Sequence, residues 1–270
     1  MKFAMCNEFC ENWPVEDAIR LARDVGYEGV EVAPFTIAGD VNQISPDRRD
    51  QIRSAAEEAG VEIIGLHWLL VGPKDVHMTT ADDATRQRTQ QYFLDLIGLC
   101  GDLGGDRMVI GSPKQRSVEP GSTYEQAWGR AIDLFKGLLP LAEEKGIVLC
   151  IEPLARTETD FIYTAAEGAR MVDEIGHPNF RLHIDVKAMC DEGRPLDEVI
   201  RDGAGRVGHF HVNDANRNGP GWGDTDYGPI VQAVREIGYD DYASVEVFDF
   251  QYDPKHIAQS SLDFLQRAFA

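Results

Sequence analysis

The chain has 270 residues, 43% of them hydrophobic and 27% charged, with a formal net charge of −20. That length and apolar content suffice to bury a full core, read here as one domain over 1–270. The acidity excludes a nucleic-acid footprint, which needs clustered Lys and Arg, and no apolar run reaches membrane length.

In chain order, short apolar runs alternate with amphipathic segments. KFAMCN (2–7) reads as the first strand, and VEDAIRLARDVG follows as a helix ending at Gly26. GVEVA (29–33) is the second strand, followed by PDRRDQIRSAAEEAG, which ends at Gly60. EIIGLHW (62–68) and DRMVIGS (106–112) come next, and then DLFKGLLPLAEEKG closes at Gly146 before IVLCIE (147–152). FRLHIDV (180–186), VGHFHVN (207–213) and YASVEVF (242–248) complete the set. Glycine after an amphipathic run is the usual left-handed stop of a helix. Eight strands alternating with helical segments, with no Pro/Ser-rich linker, give an α/β chain with a parallel sheet. Eight units at this length close a (β/α)8 TIM barrel. A doubly wound open sheet is the rival, but no GxGxxG follows the first strand.

The MKFAMCNEF start has no long apolar leader, and the five cysteines (6, 10, 100, 150 and 190) are scattered without a CxxC pair. Neither a zinc knuckle nor a disulfide framework is indicated, and the chain reads as cytoplasmic.

Four of the later strands carry polar groups where burial of charge is costly: Glu152, Asp185, His211 and Glu246. They stand 33, 26 and 35 residues apart, each about one βα unit, near the C-terminal ends of consecutive strands. Period-two alternation turns them inward together with Cys150, His183, His209 and Ser244. Three carboxylates brought together repel unless a cation sits among them. Two Glu, one Asp and one imidazole suit one divalent ion, Mn²⁺ first, with Mg²⁺, Co²⁺ or Zn²⁺ as alternatives. Taken singly, each residue could equally be a strand-end cap or ion pair. Glu31 ends the second strand on a side that its pattern does not decide.

Over IEPLARTE, HIDVKAM, HFHVNDANR, GWGDTD and SVEVF, the chain resembles the xylose isomerase-like sugar isomerase/epimerase superfamily. The D-tagatose/D-psicose 3-epimerases and inosose isomerases look nearest, and the resemblance spans essentially the whole chain. It implies a divalent metal, usually Mn²⁺, on Glu152, Asp185, His211 and Glu246, with the two glutamates also moving protons. It further implies that Glu158 and Arg217 hold the sugar, and that dimers or tetramers are common. Two departures stand out. Ala188 occupies the histidine place of the D-x-x-H run, and Ala155 the asparagine place of E-x-x-N-R-x-E.

The expected activity is therefore metal-dependent isomerisation or epimerisation of a sugar or keto-sugar. A proton next to a carbonyl is removed, and the metal stabilises the enediolate. Glu152 and Glu246 are the expected bases. Glu158, Arg217, His67 and Lys187 are the expected substrate contacts, with Lys187 standing in for the missing histidine donor. Trp68 and Trp222 are candidate pocket walls, and Ser112, Lys114 and Arg116 in GSPKQR form a weak candidate phosphate loop. Three rivals remain. A lyase or dehydratase acting on a sugar-derived or 3-keto-glycoside substrate uses the same enediolate chemistry. A three-metal DNA-repair nuclease is disfavoured by the acidity and by only seven histidines. A sugar-binding barrel without catalysis is the third.

Overall fold

A computed structural model describes all 270 residues. Eight parallel strands close on themselves in sequence order, β1 pairing with both β2 and β8. The strands are β1 (Lys2–Cys6), β2 (Gly29–Val32), β3 (Glu62–Leu66), β4 (Arg107–Ile110), β5 (Val148–Ile151), β6 (Phe180–Asp185), β7 (Val207–Val212) and β8 (Tyr242–Val245). Around them lie α1 (Val15–Val25), α2 (Pro46–Ala59), α3 (Asp83–Leu103), α4 (Tyr124–Lys145), α5 (Ala165–Ile175), α6 (Val186–Cys190), α7 (Leu196–Asp202), α8 (Tyr227–Glu236) and α9 (Pro254–Ala268). The expected (β/α)8 TIM barrel is the fold. No helix is long and apolar enough to cross a membrane.

Both faces of the sheet are covered, which is why a strand such as VLCI is apolar throughout rather than alternating. Gly26, Gly60 and Gly146 end α1, α2 and α4 in the left-handed conformation, at φ 105°, 69° and 68°. Ser45 and Thr123 cap α2 and α4 by accepting from Arg48 N and Gln126 N.

Each strand ends one to three residues before the limit expected from its apolar run. The last residues of each run leave the ladder to bend into the mouth loops. Glu152 keeps one backbone bond to Ile110 O (3.1 Å), but Pro153 has no N–H with which to continue. Glu246 likewise stands one residue past β8.

Two register shifts bear on the interior. One extra residue, Ile64, stands in β3 opposite the Val30/Glu31 step, and Gly208 does the same in β7 opposite Leu182/His183. Such bulges re-aim the side chains beside them.

Candidate active site

Glu152, Asp185, His211 and Glu246 meet at the C-terminal mouth of the barrel, each at least nine-tenths buried. One ligand-capable atom from each lies within 4.8 Å of the others. Local chemistry explains each orientation. Asp185 ends β6 and caps α6, with Oδ1 accepting from Ala188 N (2.7 Å) and Oδ2 from Asn213 Nδ2 (2.6 Å). Glu246 accepts from the Trp68 indole at Oε1 (2.7 Å), and its Oε2 lies 3.0 Å from His211 Nδ1. Glu152 projects over Gly111, where any Cβ would collide with its carboxylate. Its nearest imidazole nitrogen, His183 Nε2, stands at 4.0 Å, and burial pushes the pKa of that ring well down.

Burial, then repulsion from Glu246 and Asp185, pushes the Glu152 pKa well up. Burial and Glu246 push Asp185 to about 6. For Glu246 burial acts upward too, but His211 outweighs it and the net direction is down. Burial would strip His211 of its proton, yet Glu31 and Glu246 hold its pKa well above the usual imidazole range. Three crowded carboxylates and one imidazole, two of the acids carrying raised pKa values, form a donor set suited to a divalent cation.

Beneath this cluster lies a layer in which alternation placed His183 and His209 inward, as observed, but left Glu31 undecided. Glu31 is fully buried, its Oε2 2.8 Å from His209 Nε2 and 3.0 Å from His211 Nε2. Every position of β2 is buried, so an alternation signal could not tell which way Glu31 points. His183 also faces inward with neither ring nitrogen paired. Glu8, from the loop after β1, accepts from Val247 N (3.0 Å) and pairs with His67 Nε2 (2.8 Å).

A cavity of about 480 Å³ opens above the cluster, lined in part by His67, Glu158, Lys187 and Arg217. All four expected substrate contacts therefore border one space, but in different states. His67 is fully buried and locked to Glu8, not a free loop side chain. Lys187 Nζ donates to Glu158 Oε1 (2.6 Å) and sits 4.9 Å from the Phe248 ring centre. Arg217 is exposed at φ 72°, its guanidinium 5.6 Å from the same ring. Trp68 stacks on Phe35 and Phe248 at 5.7 and 6.2 Å and lines the cavity. Trp222 does not line it; its indole donates to Ser260 Oγ (2.9 Å). Arg116 is buried and donates to the carbonyls of Ile110, Glu152 and Ile162 (3.3, 2.6 and 3.2 Å). It thus ties the β4 and β5 loops together and is no phosphate ligand.

A family model described as xylose isomerase-like TIM barrel matches residues 19–268. The chain is 35% identical to a D-psicose 3-epimerase of Enterocloster bolteae, over 74% of this chain and 66% of that protein. It is 25% identical to an L-ribulose 3-epimerase of Mesorhizobium japonicum, over 70% of this chain and 64% of that protein. The chain thus spans slightly under two thirds of the length of either relative. A crystal structure of a D-psicose 3-epimerase in the presence of D-fructose superposes with a TM-score of 0.89. That alignment covers 100% of this chain and 99% of the other, at 23% identity.

Proposed function

The chain belongs to the xylose isomerase-like TIM barrel family, and on that premise we propose that it is a divalent-metal-dependent ketose 3-epimerase. It is an enzyme of the sugar isomerase/epimerase type. The observation that carries this reading is the pair Glu152 and Glu246, each one residue past the non-adjacent strands β5 and β8, bordering one cavity together with Asp185.

Glu152, Asp185, His211 and Glu246 would hold the metal, and three carboxylates against one imidazole favour Mn²⁺ over Mg²⁺, Co²⁺ or Zn²⁺. When bound, such a cation supplies Lewis-acid polarisation of a substrate carbonyl and compensates the crowded carboxylates.

The chain's own residues divide the remaining work. Glu152 is free of hydrogen-bond donors at its carboxylate and so is the less encumbered base. It takes the carbon-bound proton from one face of the sugar, leaving an enediolate. Glu246, its orientation fixed by Trp68 and His211, returns a proton on the opposite face and inverts the carbon. The reverse substrate exchanges the two roles. Glu158, Lys187 and Arg217 offer hydrogen bonds to hydroxyl groups, and the Lys187 ammonium supplies a donor beside Ala188. The ring faces of Trp68 and Phe248 give the sugar's C–H face an apolar wall. Five unpaired cysteines suit a reducing, cytoplasmic setting.

The test is incubation of the Mn²⁺-loaded protein with ketoses, keto-inositols and 3-keto-glycosides in D₂O. Deuterium at carbon 3 of a ketose, with formation of its 3-epimer, is the expected result. Elimination products would indicate the lyase chemistry instead, and no carbon-bound deuterium from any member of the panel would overturn the proposal.

A further inference from the structure

His211 engages both ring nitrogens. Nδ1 lies 3.0 Å from Glu246 Oε2, on the side of the four-donor cluster, and Nε2 lies 3.0 Å from Glu31 Oε2. Only one neutral tautomer is useful to a cation: with the proton on Nε2, the lone pair on Nδ1 is free to bind. With the proton on Nδ1, that ligand position is closed.

We propose that Glu31 is a positioning residue that makes this choice, holding the Nε2 proton of His211 so that Nδ1 points its lone pair into the cage. The inference rests on the four-residue cage of the proposed function. Glu31 Oε2 lies against the Nε2 atoms of both His209 and His211, with Cys6 Sγ at 3.8 Å. All four residues are fully buried, so no solvent competes for these positions. A bare imidazole nitrogen facing this oxygen would set lone pair against lone pair in a dry interior, so Nε2 keeps its proton. Nδ1, which faces Glu246 on the side of the four-donor cluster, is the position a cation can take in place of a proton.

The fold explains how a β2 side chain reaches a β7 ring. The extra residue in β3 shifts the register at Val30/Glu31, beside the point where Glu31 enters the barrel. His209 shares the same oxygen without joining the cage, so it provides an internal control. Carboxylates that orient a metal-binding imidazole commonly contribute 10–100-fold to metal affinity.

The experiment measures Mn²⁺ affinity of the full chain by chelator competition, with circular dichroism and thermal melting alongside. In Glu31→Gln a neutral amide oxygen replaces the charged Oε2 that both imidazoles share, so both contacts lose their charge assistance. Mn²⁺ binding is expected to weaken about 10–100-fold while the far-UV spectrum is retained. His209→Gln leaves the Glu31–His211 contact in place, so it should lower the melting temperature but shift Mn²⁺ affinity by less than about threefold. Wild-type affinity in Glu31→Gln overturns the proposal, as does an equal loss in His209→Gln. If Glu31→Gln does not fold, nitrogen-15 spectra of the Zn²⁺-loaded wild type decide: His211 protonated at Nε2 supports the inference, and protonation at Nδ1 overturns it. A wild type that binds none of Mn²⁺, Mg²⁺, Co²⁺ and Zn²⁺ would instead refute the cage itself.

Discussion

Glu8 and Glu31, on the β1–β2 side of the barrel, are buried as deeply as Glu152, Asp185 and Glu246 on the β5–β8 side. The two groups live in different circumstances. Glu31 lies against two imidazoles, and although burial acts upward, His209 and His211 hold it well below the ordinary carboxylate range. Glu8 is raised by burial, but His67 pulls it back, and it accepts from both His67 and Val247 N. Across the mouth, the Glu152 carboxylate has no close ion pair, and burial and its acidic neighbours raise it despite the pull of His211 and Arg116. Depth of burial is therefore not what makes a carboxylate reactive. The β1–β2 side satisfies its carboxylates against imidazoles within the protein, while on the β5–β8 side Glu152 and Asp185 are crowded by other acids and are left for something that binds.

The hardest blow to this contrast falls on the β5–β8 side. Glu246→Gln keeps the shape and an acceptor for the Trp68 indole but removes a proton carrier. Solvent-deuterium incorporation into a turned-over ketose should fall about 10³-fold at saturating Mn²⁺, with the fold retained by circular dichroism. Exchange at the wild-type rate would remove Glu246 from the proton path.

The same operation on the other side should read out as stability instead. Glu8→Leu leaves His67 Nε2 and Val247 N without their acceptor in a closed interior. Losing one member of such a buried pair costs about 3 kcal/mol, which is roughly 6–12 °C of melting temperature at this size. Mn²⁺ affinity should move less than about tenfold. A large loss of metal binding with an unchanged melting point would show that both sides serve the cage.

How much of this contrast was legible in the amino-acid sequence follows from the pattern each side carries. The cage residues interrupt apolar runs one βα unit apart, and a charged interruption repeated at that interval is visible without coordinates. Strand ends were placed too late because the apolar character of YASVEVF continues past the last ladder bond of β8, and sequence does not mark where hydrogen bonding stops. Glu31 was unreadable for the opposite reason: GVEV is buried at every position, and the register shift that accompanies its inward turn lies in β3, on another strand. His67 was seen as a mouth residue, but its partner Glu8 is 59 positions away, a pairing only the closed barrel creates. Arg116 looked like an anion ligand because its destination, three backbone carbonyls, leaves no trace in residue type.

Protons should also separate the two sides. The Asp185 pKa is raised to about 6, above its unfolded value near 3.8. In the metal-free protein its contribution to stability is therefore fully present below the unfolded value and is lost as pH rises through 6. A cation needs the ionised form, so metal binding acts in the reverse sense and favours high pH. Mn²⁺ affinity should fall about tenfold per pH unit below 6 for each proton displaced. The melting-temperature gain from Mn²⁺ should shrink over the same window. Glu31, already held low, should take up no proton there, and an affinity flat from pH 7 to 5 would contradict the picture of the β5–β8 acids.

The smallest effect is expected where the two sides touch. Trp68, from the loop after β3, sends its indole N–H to Glu246 Oε1 at 2.7 Å. It does so from a left-handed backbone, φ 51°, that a bulky residue adopts only when its surroundings hold it there. Stacking on Phe35 and Phe248 provides that hold. Trp68→Phe would preserve much of the stack and delete only the donor. A hydrogen bond to a charged acceptor contributes about 1.5–3 kcal/mol, part of which rearrangement of Glu246 recovers, so kcat should drop roughly tenfold. Because the aromatic wall survives, KM should change less than about threefold; Trp68→Ala, which removes the wall as well, should move both. A Phe variant that raises KM and leaves kcat alone would mean that the ring acts on the sugar and the indole N–H does nothing for Glu246. The effect is small because the donor is neutral: it can aim a carboxylate of the β5–β8 side, but it cannot neutralise one.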